Sequence, residues 1–117
     1  MRLIIAGSRT ITDGLWVSSE LDRLTHGGRD IEAVLSGGAR GVDRLGEAWA
    51  VGHDIPVEVF LADWDRYGRS AGYRRNELMA AHADALAAFW DGTSRGTKHM
   101  IEIARKQGLA VRVIRRG

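Results

Sequence analysis

Short turns rich in glycine, serine and arginine recur along this sequence, and each one follows an apolar run. The turns read AGSRT, SGGARGVD and DGTSRGT, and they begin at residues 6, 36 and 91. Each holds one arginine, namely Arg9, Arg40 and Arg95. A guanidinium group binds phosphate through paired hydrogen bonds, and glycine lets a ligand approach backbone N–H groups closely. The residue types therefore indicate anion binding, with phosphate as the expected anion.

Apolar runs and helical patterns alternate on either side of these turns. Strands are predicted over residues 2–6, 31–36, 57–62, 84–90 and 110–115, and helices over residues 12–28, 41–54, 72–83 and 96–108. This alternation predicts a Rossmann-like three-layer α/β/α fold with a five-stranded parallel sheet. The whole chain, residues 1–117, is expected to form one domain.

Charges within the apolar runs predict the order of the strands. The third run carries Glu58 and the fifth carries Arg112 and Arg115, whereas central parallel strands are buried on both faces. The third and fifth strands are therefore expected at the edges, in the order 3-2-1-4-5. In such a sheet, ligands bind at the carboxyl ends of the strands where the winding direction reverses. The three turns are expected to meet there, between the first and fourth strands.

The predicted phosphate-binding residues come from the three turns and from the start of the third helix. They are Gly7, Ser8 and Arg9; Ser36, Gly37, Gly38, Arg40, Gly41 and Asp43; Asp91, Gly92, Ser94, Gly96 and Thr97; and Arg75 and Asn76. The start of a helix presents unpaired N–H groups and a positive dipole end to an anion. Asp43 and Asp91 have alternative roles as helix caps or as acceptors for ribose hydroxyls, or they point away from the ligand.

The segment ADWDRYGRSAGYRRN, residues 62–76, is predicted to be a long functional loop because it is aromatic and charged. Trp64 and Tyr67 either stack on a base or pack the loop onto the sheet. Arg74 and Arg75 are expected to open the third helix. Trp90 is expected to line the pocket floor. Trp16 and Trp49 are expected in the core, with a dimer interface as the alternative for Trp49.

Composition excludes several kinds of site. The chain has no cysteine, which excludes disulfides, thiolate metal sites and a cysteine nucleophile. The four histidines show no metal-ligand spacing, so neither a metal nor a cofactor is expected. No apolar run is long enough to span a bilayer, and a cytoplasmic location is expected. The net charge of +2 suits an anionic ligand better than an extended nucleic-acid track.

The motifs resemble a known superfamily. AGSRTIT followed by SGGARGVDRLGEAWA resembles the Rossmann-like domain of the DprA/SMF proteins. RNELM and DGTSRGTKHM resemble the LOG phosphoribohydrolases, which carry R-K-x-x-M and a glycine turn ending in G-T-x-x-E. Chains that join both halves resemble the YspA-type branch of the SLOG superfamily. The resemblance implies a nucleotide-derived small-molecule ligand, no membrane partner, and a homodimer or larger homo-oligomer.

Two departures from the LOG pattern bear on the function. Met100 stands where the LOG pattern has its glutamate, and Asn76 replaces the usual lysine. Without that acid, the resemblance favours binding or sensing of a nucleotide over catalysis. Hydrolysis of a nucleoside monophosphate is the alternative, with Glu77 or Asp91 as substitute acids. Single-stranded DNA binding, implied by the DprA resemblance, is the second alternative.

Overall fold

The structure, a computed structural model, describes residues 1–116. Its strands are β1 (Arg2–Gly7), β2 (Ala33–Ser36), β3 (Val57–Val59), β4 (Ala85–Trp90) and β5 (Ala110–Arg115). Its α-helices are α1 (Gly14–Thr25), α2 (Val42–Gly52), α3 (Trp64–Tyr67), α4 (Ala71–Ala81) and α5 (Arg95–Lys106), with a 3-10 turn over Gly68–Ser70.

The five strands form one parallel sheet in the order β3-β2-β1-β4-β5, which confirms the predicted topology. In the centre of the sheet, Ile4 of β1 pairs with Leu35 of β2 on one side and with Leu86 of β4 on the other. The direction of winding reverses between β1 and β4. Their carboxyl ends, Gly7 and Trp90, therefore flank the position where a parallel sheet of this kind binds ligands.

Each face of the sheet is covered by its own apolar cluster. Ile5 packs with Val17 of α1 and Trp49 of α2 on one face. Ile4 packs with Met79 of α4 and Ile101 of α5 on the other. Successive side chains of a strand point to opposite faces, so the apolar run of β1 supplies both clusters. The result is the three-layer α/β/α arrangement that the alternation predicts.

The spacing of Leu15, Trp16, Leu21 and Leu24 predicts an apolar stripe on α1, and the structure departs from it. Val17 and Leu21 are buried, whereas Leu15, expected on the buried face, is 88% exposed. Trp16 is half-buried, with its ring edge-on to Phe89 at a centroid distance of 5.5 Å. The helix begins at Gly14 behind the N-cap Asp13, whose Oδ1 accepts a bond from Trp16 N at 3.1 Å. That start sets the rotation of the helix and turns Leu15 outward.

Trp49 lies in the core, which is the first of the two alternatives predicted for it. It is 3% exposed, and its Nε1 donates to Asp22 Oδ1 at 2.9 Å. The indole therefore has no surface to offer a second copy, and the alternative of a dimer interface at Trp49 is wrong.

Residues 64–76 are helical, so the prediction of a long loop over residues 62–76 is wrong. Asp63 caps α3 by accepting a bond from Arg66 N at 3.1 Å, and the 3-10 turn leads directly into α4. Because α4 begins at Ala71, Arg74 and Arg75 lie one turn inside the helix and do not open it. These short helices carry their side chains at fixed positions beside the carboxyl edge of the sheet.

Candidate functional site

A cleft of about 530 Å³ lies at the carboxyl edge of the sheet, where β1 and β4 end. The turns after β1 and β4 form two of its walls, and the turn after β2, the start of α2, and α3, α4 and α5 complete it. It is lined by Ala6, Gly7, Arg9, Thr10, Ala39, Asp43, Trp64, Arg69, Gly72, Tyr73, Arg75, Asn76, Met79, Asp91, Ser94, Gly96, Thr97 and Met100. The position agrees with the one that the strand order predicts.

Ten of the residues predicted from the sequence line this cleft. They are Gly7, Arg9, Asp43, Trp64, Arg75, Asn76, Asp91, Ser94, Gly96 and Thr97. Arg69, Tyr73 and Met100 also line it and were not predicted. Arg69, Tyr73 and Asn76 have the i, i+4, i+7 spacing of one helical face, which would have grouped them if residues 62–76 had been predicted as helical.

Several predicted residues lie outside the cleft, and the two serines among them bond to other groups of the protein. Ser8 is fully buried and its Oγ accepts from Asp91 N at 3.0 Å. Ser36 is also buried and donates to Glu47 Oε2 at 2.6 Å. The others outside the cleft are Gly37, Gly38, Arg40, Gly41, Gly92 and Tyr67. Trp90, expected at the pocket floor, is likewise outside, with Nε1 donating to Ser94 O at 3.0 Å.

Gly37 explains part of the glycine content of the second turn. A Cβ at this position would lie 2.5 Å from Arg75 Nη1 and 2.9 Å from Asp43 Oδ2. Arg75 Nη1 donates to the Gly37 carbonyl at 2.8 Å. The absence of a side chain at Gly37 therefore leaves room for Arg75 of α4 and Asp43 of α2. Both side chains lie at the wall of the cleft.

Asp43 is a buried carboxyl at that wall. Its side chain is 6% exposed, and Oδ2 accepts a bond from Ala39 N at 3.1 Å. Burial raises the pKa of Asp43 to about 6, although the bond from Ala39 and the nearby charge of Arg75 act in the opposite direction. The carboxyl is thus partly protonated close to neutral pH. Asp43 is therefore not simply a surface residue that caps α2.

Arg75 and Asn76 belong to one hydrogen-bond network between α4 and α5. Arg75 Nε donates to Asn76 Oδ1 at 3.1 Å. Asn76, which is 5% exposed, uses Nδ2 to reach Gly96 O at 3.3 Å and His99 Nδ1 at 3.1 Å. Because an amide N–H donates here, His99 Nδ1 is an acceptor, and burial lowers the pKa of His99. The network fixes the direction of the Arg75 guanidinium group.

Three guanidinium groups line the cleft without carboxylate partners. Within residues 1–116, none of Arg9, Arg69 and Arg75 forms an ion pair at 4.0 Å or less. Burial lowers the pKa of Arg75, yet an arginine keeps its charge at neutral pH. These three guanidinium groups outnumber the carboxyl groups of Asp43 and Asp91 at the cleft, which leaves positive charge available for an anion.

Asp91 holds the turn between β4 and α5. Its Oδ1 accepts bonds from Thr93 N and Ser94 N, both at 2.8 Å, and its Oδ2 accepts from Thr10 Oγ1 at 2.9 Å. These backbone bonds hold the pKa of Asp91 well below its usual range. Asp91 is thus ionised and committed to the turn, but it does not cap α5, because Ser94 is the N-cap of that helix.

Some backbone N–H groups of the turns are satisfied inside the protein. Gly38 N donates to Ser36 Oγ at 3.1 Å, and Thr97 N donates to Ser94 Oγ at 3.4 Å. Within residues 1–116, Arg95 N and Gly96 N, at the first two positions of α5, have no acceptor. A Cβ built on Gly96 has nothing within 4 Å, so this amide is not covered. At the wall formed by α5, the backbone N–H groups available to a ligand are therefore those of Arg95 and Gly96.

Aromatic side chains form the outer wall. Trp64 lines the cleft and is 54% exposed, and Tyr73 lines it with its ring 4.3 Å from that of His99. Tyr67, predicted as a stacking residue, lies outside the cleft, and the guanidinium groups of Arg66 and Arg74 lie 5.0 and 4.3 Å from its ring centre. Tyr73, and not Tyr67, lines the cleft beside Trp64.

Met100 occupies the α5 wall, where it is 1% exposed. The residue at the position of the LOG glutamate thus does face the cleft region, but it brings a thioether and no acid. Among residues 1–116, no group of three or more His, Cys, Asp or Glu side chains is arranged to hold a metal ion. In the same part of the chain, no helix combines the length and apolar character needed to cross a bilayer.

Comparisons with known proteins agree with this fold. The structure is similar to that of DNA processing protein A (DprA) from Streptococcus pneumoniae, with a TM-score of 0.74 and 15% sequence identity over 96% of this chain and 49% of that one. The chain thus spans about half the length of that protein. It is also 38% identical over 120 residues to the Gene 61 protein of Mycobacterium phage D29, covering 94% of this chain and 93% of that protein. Residues 1–67 match the model of the YspA, cpYpsA-related SLOG family. This chain therefore belongs to the YspA, cpYpsA-related SLOG family.

Proposed function

We propose that the chain binds a nucleotide-derived small molecule in this cleft. The observation that carries the proposal is the set of three guanidinium groups, those of Arg9, Arg69 and Arg75, around one cleft at the switch point of the sheet. Their charge has no carboxylate partner within residues 1–116. A phosphate group supplies the missing negative charge and accepts paired bonds from guanidinium donors.

The remaining walls fit the other parts of a nucleotide. Arg95 N and Gly96 N, at the start of α5, add donors for the phosphate. Trp64 and Tyr73 offer aromatic faces on which a base stacks. A volume of about 530 Å³ lies within the range of small-molecule sites, roughly 300–1,000 Å³. We therefore place the phosphate towards Arg75 and the base towards Trp64.

Calorimetric titration with AMP, NAD and ADP-ribose tests this proposal. At least one of these ligands should bind the wild-type protein, and Arg75→Ala should weaken that binding about 10-fold or more, because a charge-assisted bond contributes roughly 1.5–3 kcal/mol. Arg29→Ala is the matched control, since exposed Arg29 precedes β2 and lies at the opposite edge of the sheet. Absence of binding, or equal affinity for all three proteins, would contradict the proposal.

A parallel titration with a single-stranded oligonucleotide addresses the DNA-binding alternative. Electrostatic binding to a strand weakens steeply with salt, in proportion to the number of phosphates contacted. We expect only weak binding, because the chain carries a net charge of +2. Nanomolar, strongly salt-dependent binding would replace the small-molecule proposal. Self-association, a cytoplasmic location and the organisation of residues 1–117 as one domain stay predictions.

A further inference from the structure

The wall of the cleft holds a buried carboxyl group next to the arginine that we expect to bind the phosphate of the ligand. We infer that the cleft takes up one proton together with an anionic ligand, and that the Asp43 carboxyl group is where this proton binds. Binding is then stronger in acid than in alkali. The inference rests on the nucleotide binding proposed above, and it assigns to the same site a dependence on pH that phosphate recognition alone does not require.

Asp43 and Arg75 lie against the same glycine without forming an ion pair. A Cβ at Gly37 would lie 2.9 Å from Asp43 Oδ2 and 2.5 Å from Arg75 Nη1. The carboxyl oxygens and the guanidinium nitrogens are nevertheless more than 4.0 Å apart. Among residues 1–116, no group accepts a hydrogen bond from Arg75 Nη2. A ligand anion can therefore bind this guanidinium group, and it then lies close to Asp43.

The surroundings of Asp43 disfavour a negative charge. The side chain is 6% exposed, and within residues 1–116 no cationic nitrogen lies within 4.0 Å of its oxygens. Ala39 N donates a bond to Oδ2 at 3.1 Å. A buried carboxylate needs a paired cation or several donors to compensate for the water that it loses. Burial accordingly raises the pKa of Asp43 to about 6.

Charged and polar groups face Asp43 from the elements packed against it. Arg75 of α4 favours the ionised carboxylate, as do the N–H groups of Ala39 and of Gly7 at the end of β1. Glu47, one turn later in α2, favours the protonated form. Burial outweighs the groups that favour ionisation, so the two forms of the carboxyl group are close in free energy near neutral pH.

A bound phosphate changes this balance. Two anionic groups at one poorly solvated wall repel each other, so a phosphate and an ionised Asp43 compete for the charge of Arg75. Protonation removes the repulsion and gives Asp43 a hydroxyl group that can donate to a phosphate oxygen. Proton binding and ligand binding therefore strengthen each other, and by thermodynamic linkage they do so by the same factor.

Calorimetric titration with ADP-ribose and with NAD, between about pH 6 and pH 8, tests the inference. The pyrophosphate groups that join the two halves of these ligands stay ionised throughout, whereas the phosphate of AMP titrates near about pH 6. Wild-type affinity should fall about 10-fold or more over this range, because the free carboxyl group loses its proton. Near pH 7, the heats in PIPES and in imidazole buffer should show uptake of about one proton per ligand.

Asp43→Asn distinguishes this coupling from a structural role. The amide is neutral at every pH, and its oxygen can still accept the bond from Ala39 N. The variant should bind within about three-fold of the wild type near pH 6, and about 10-fold more tightly than the wild type near pH 8. A substitution that only damages the wall does not raise the affinity. The same comparison applies to AMP, because the titration of the ligand itself is common to both proteins.

Asp65→Asn is the matched control. It removes one negative charge from an exposed side chain of α3 that lies outside the cleft. This variant should keep the pH dependence of the wild type. If it bound more tightly than the wild type near pH 8 to the same extent as Asp43→Asn, the effect would come from net charge and the role of Asp43 would be wrong.

Other results would also overturn the inference. Wild-type affinity that does not change with pH, or binding without proton uptake, would do so and leave nucleotide binding standing. A dependence that persists in Asp43→Asn would assign the proton to another group, such as His99, which reaches Arg75 through Asn76. Loss of affinity at every pH in a folded Asp43→Asn would mean that the carboxylate itself is needed. Wild-type protein that binds none of ADP-ribose, NAD and AMP would overturn both proposals.

Discussion

Asp43 and Arg75 come together at Gly37, although 32 positions separate them in the sequence. Each approaches within 3 Å of the place where a side chain of Gly37 would begin, at 2.9 Å for Asp43 Oδ2 and 2.5 Å for Arg75 Nη1. Their contact with this glycine joins α2 and α4 at the wall of the cleft. Because Gly37 has no side chain, the side chains of Asp43 and Arg75 can both lie against it at the wall of the cleft.

Gly37→Ala should damage ligand binding while the protein stays folded. The added methyl group overlaps Arg75 Nη1, the end of a flexible side chain, and would displace it from its bond to Gly37 O. We expect at least about a 10-fold loss of affinity for AMP or ADP-ribose by calorimetry, as for loss of a charge-assisted bond. Gly52→Ala is the control, since a Cβ there meets nothing within 4 Å. Equal effects of the two substitutions would be at odds with a specific role for Gly37.

Asp43→Asn should change how stability depends on pH. The folded-state pKa of Asp43, about 6, is raised above the ordinary value of 3.8, so the folded protein binds the proton more tightly than the unfolded chain. The stability from this group is complete below the ordinary pKa and is lost as the pH rises through about 6. The amide side chain of the variant does not titrate. Relative to the variant, the wild type should therefore lose roughly 2 kcal/mol of unfolding free energy between about pH 4 and pH 7.

Urea denaturation of both proteins at several pH values measures this difference, and the other titrating groups cancel when the variant is subtracted from the wild type. A difference that does not vary with pH would mean that Asp43 ionises in the folded protein as it does in the unfolded chain.

Asp91→Asn should show the opposite dependence. The pKa of Asp91 is lowered by the N–H groups of Thr93 and Ser94, so its stabilisation is present above the ordinary pKa of 3.8 and is lost as the pH falls through the folded-state pKa. The wild type should be more stable than the variant near neutrality, and this advantage should shrink only in acid. Thermal melts at about pH 7 and about pH 3 measure it. Asp54→Asn is the control, because Asp54 has a φ of 57° that asparagine also adopts.

Trp64→Phe should remove the fluorescence response to ligand. Trp64 is 54% exposed at the cleft, whereas Trp49 is buried, so a stacked base changes the surroundings of Trp64 most. Phenylalanine keeps an aromatic face, and the affinity by calorimetry should change little. Trp90→Phe serves as the comparison, because Trp90 lies outside the cleft. A response that persists in Trp64→Phe and disappears in Trp90→Phe would place the base elsewhere.

Patterns local in sequence predict the strand order and the cleft position well. The apolar runs and the charges of β3 and β5 indicate the order β3-β2-β1-β4-β5. Central strands are buried on both faces and are therefore apolar throughout, whereas edge strands can carry charged residues. The segment over residues 62–76 is harder, since its charges and glycines resemble a loop. Its helical state depends on the cap at Asp63 and on contacts with α4, because a helix this short is not stable alone.

The details of the site depend on tertiary contacts that spacing does not reveal. Ser8 and Ser36 have the residue type of phosphate ligands, yet they bond within the protein, to Asp91 N and Glu47. The burial of Asp43 follows from the approach of α4, which no local pattern in α2 reports. Gly37 is predicted as a contact for ligand, and the structure places Arg75 against it instead.

Amide chemical-shift mapping during titration with AMP or ADP-ribose locates the ligand most directly. We predict the largest shifts at Gly7, Tyr73 and Gly96, which line the cleft, with Gly96 N unpaired before the ligand binds. Amides of α1, on the other side of the sheet, should move little. Shifts concentrated on α1 or on the β3 edge, with Gly96 unmoved at saturation, would contradict a nucleotide site at the carboxyl ends of β1 and β4.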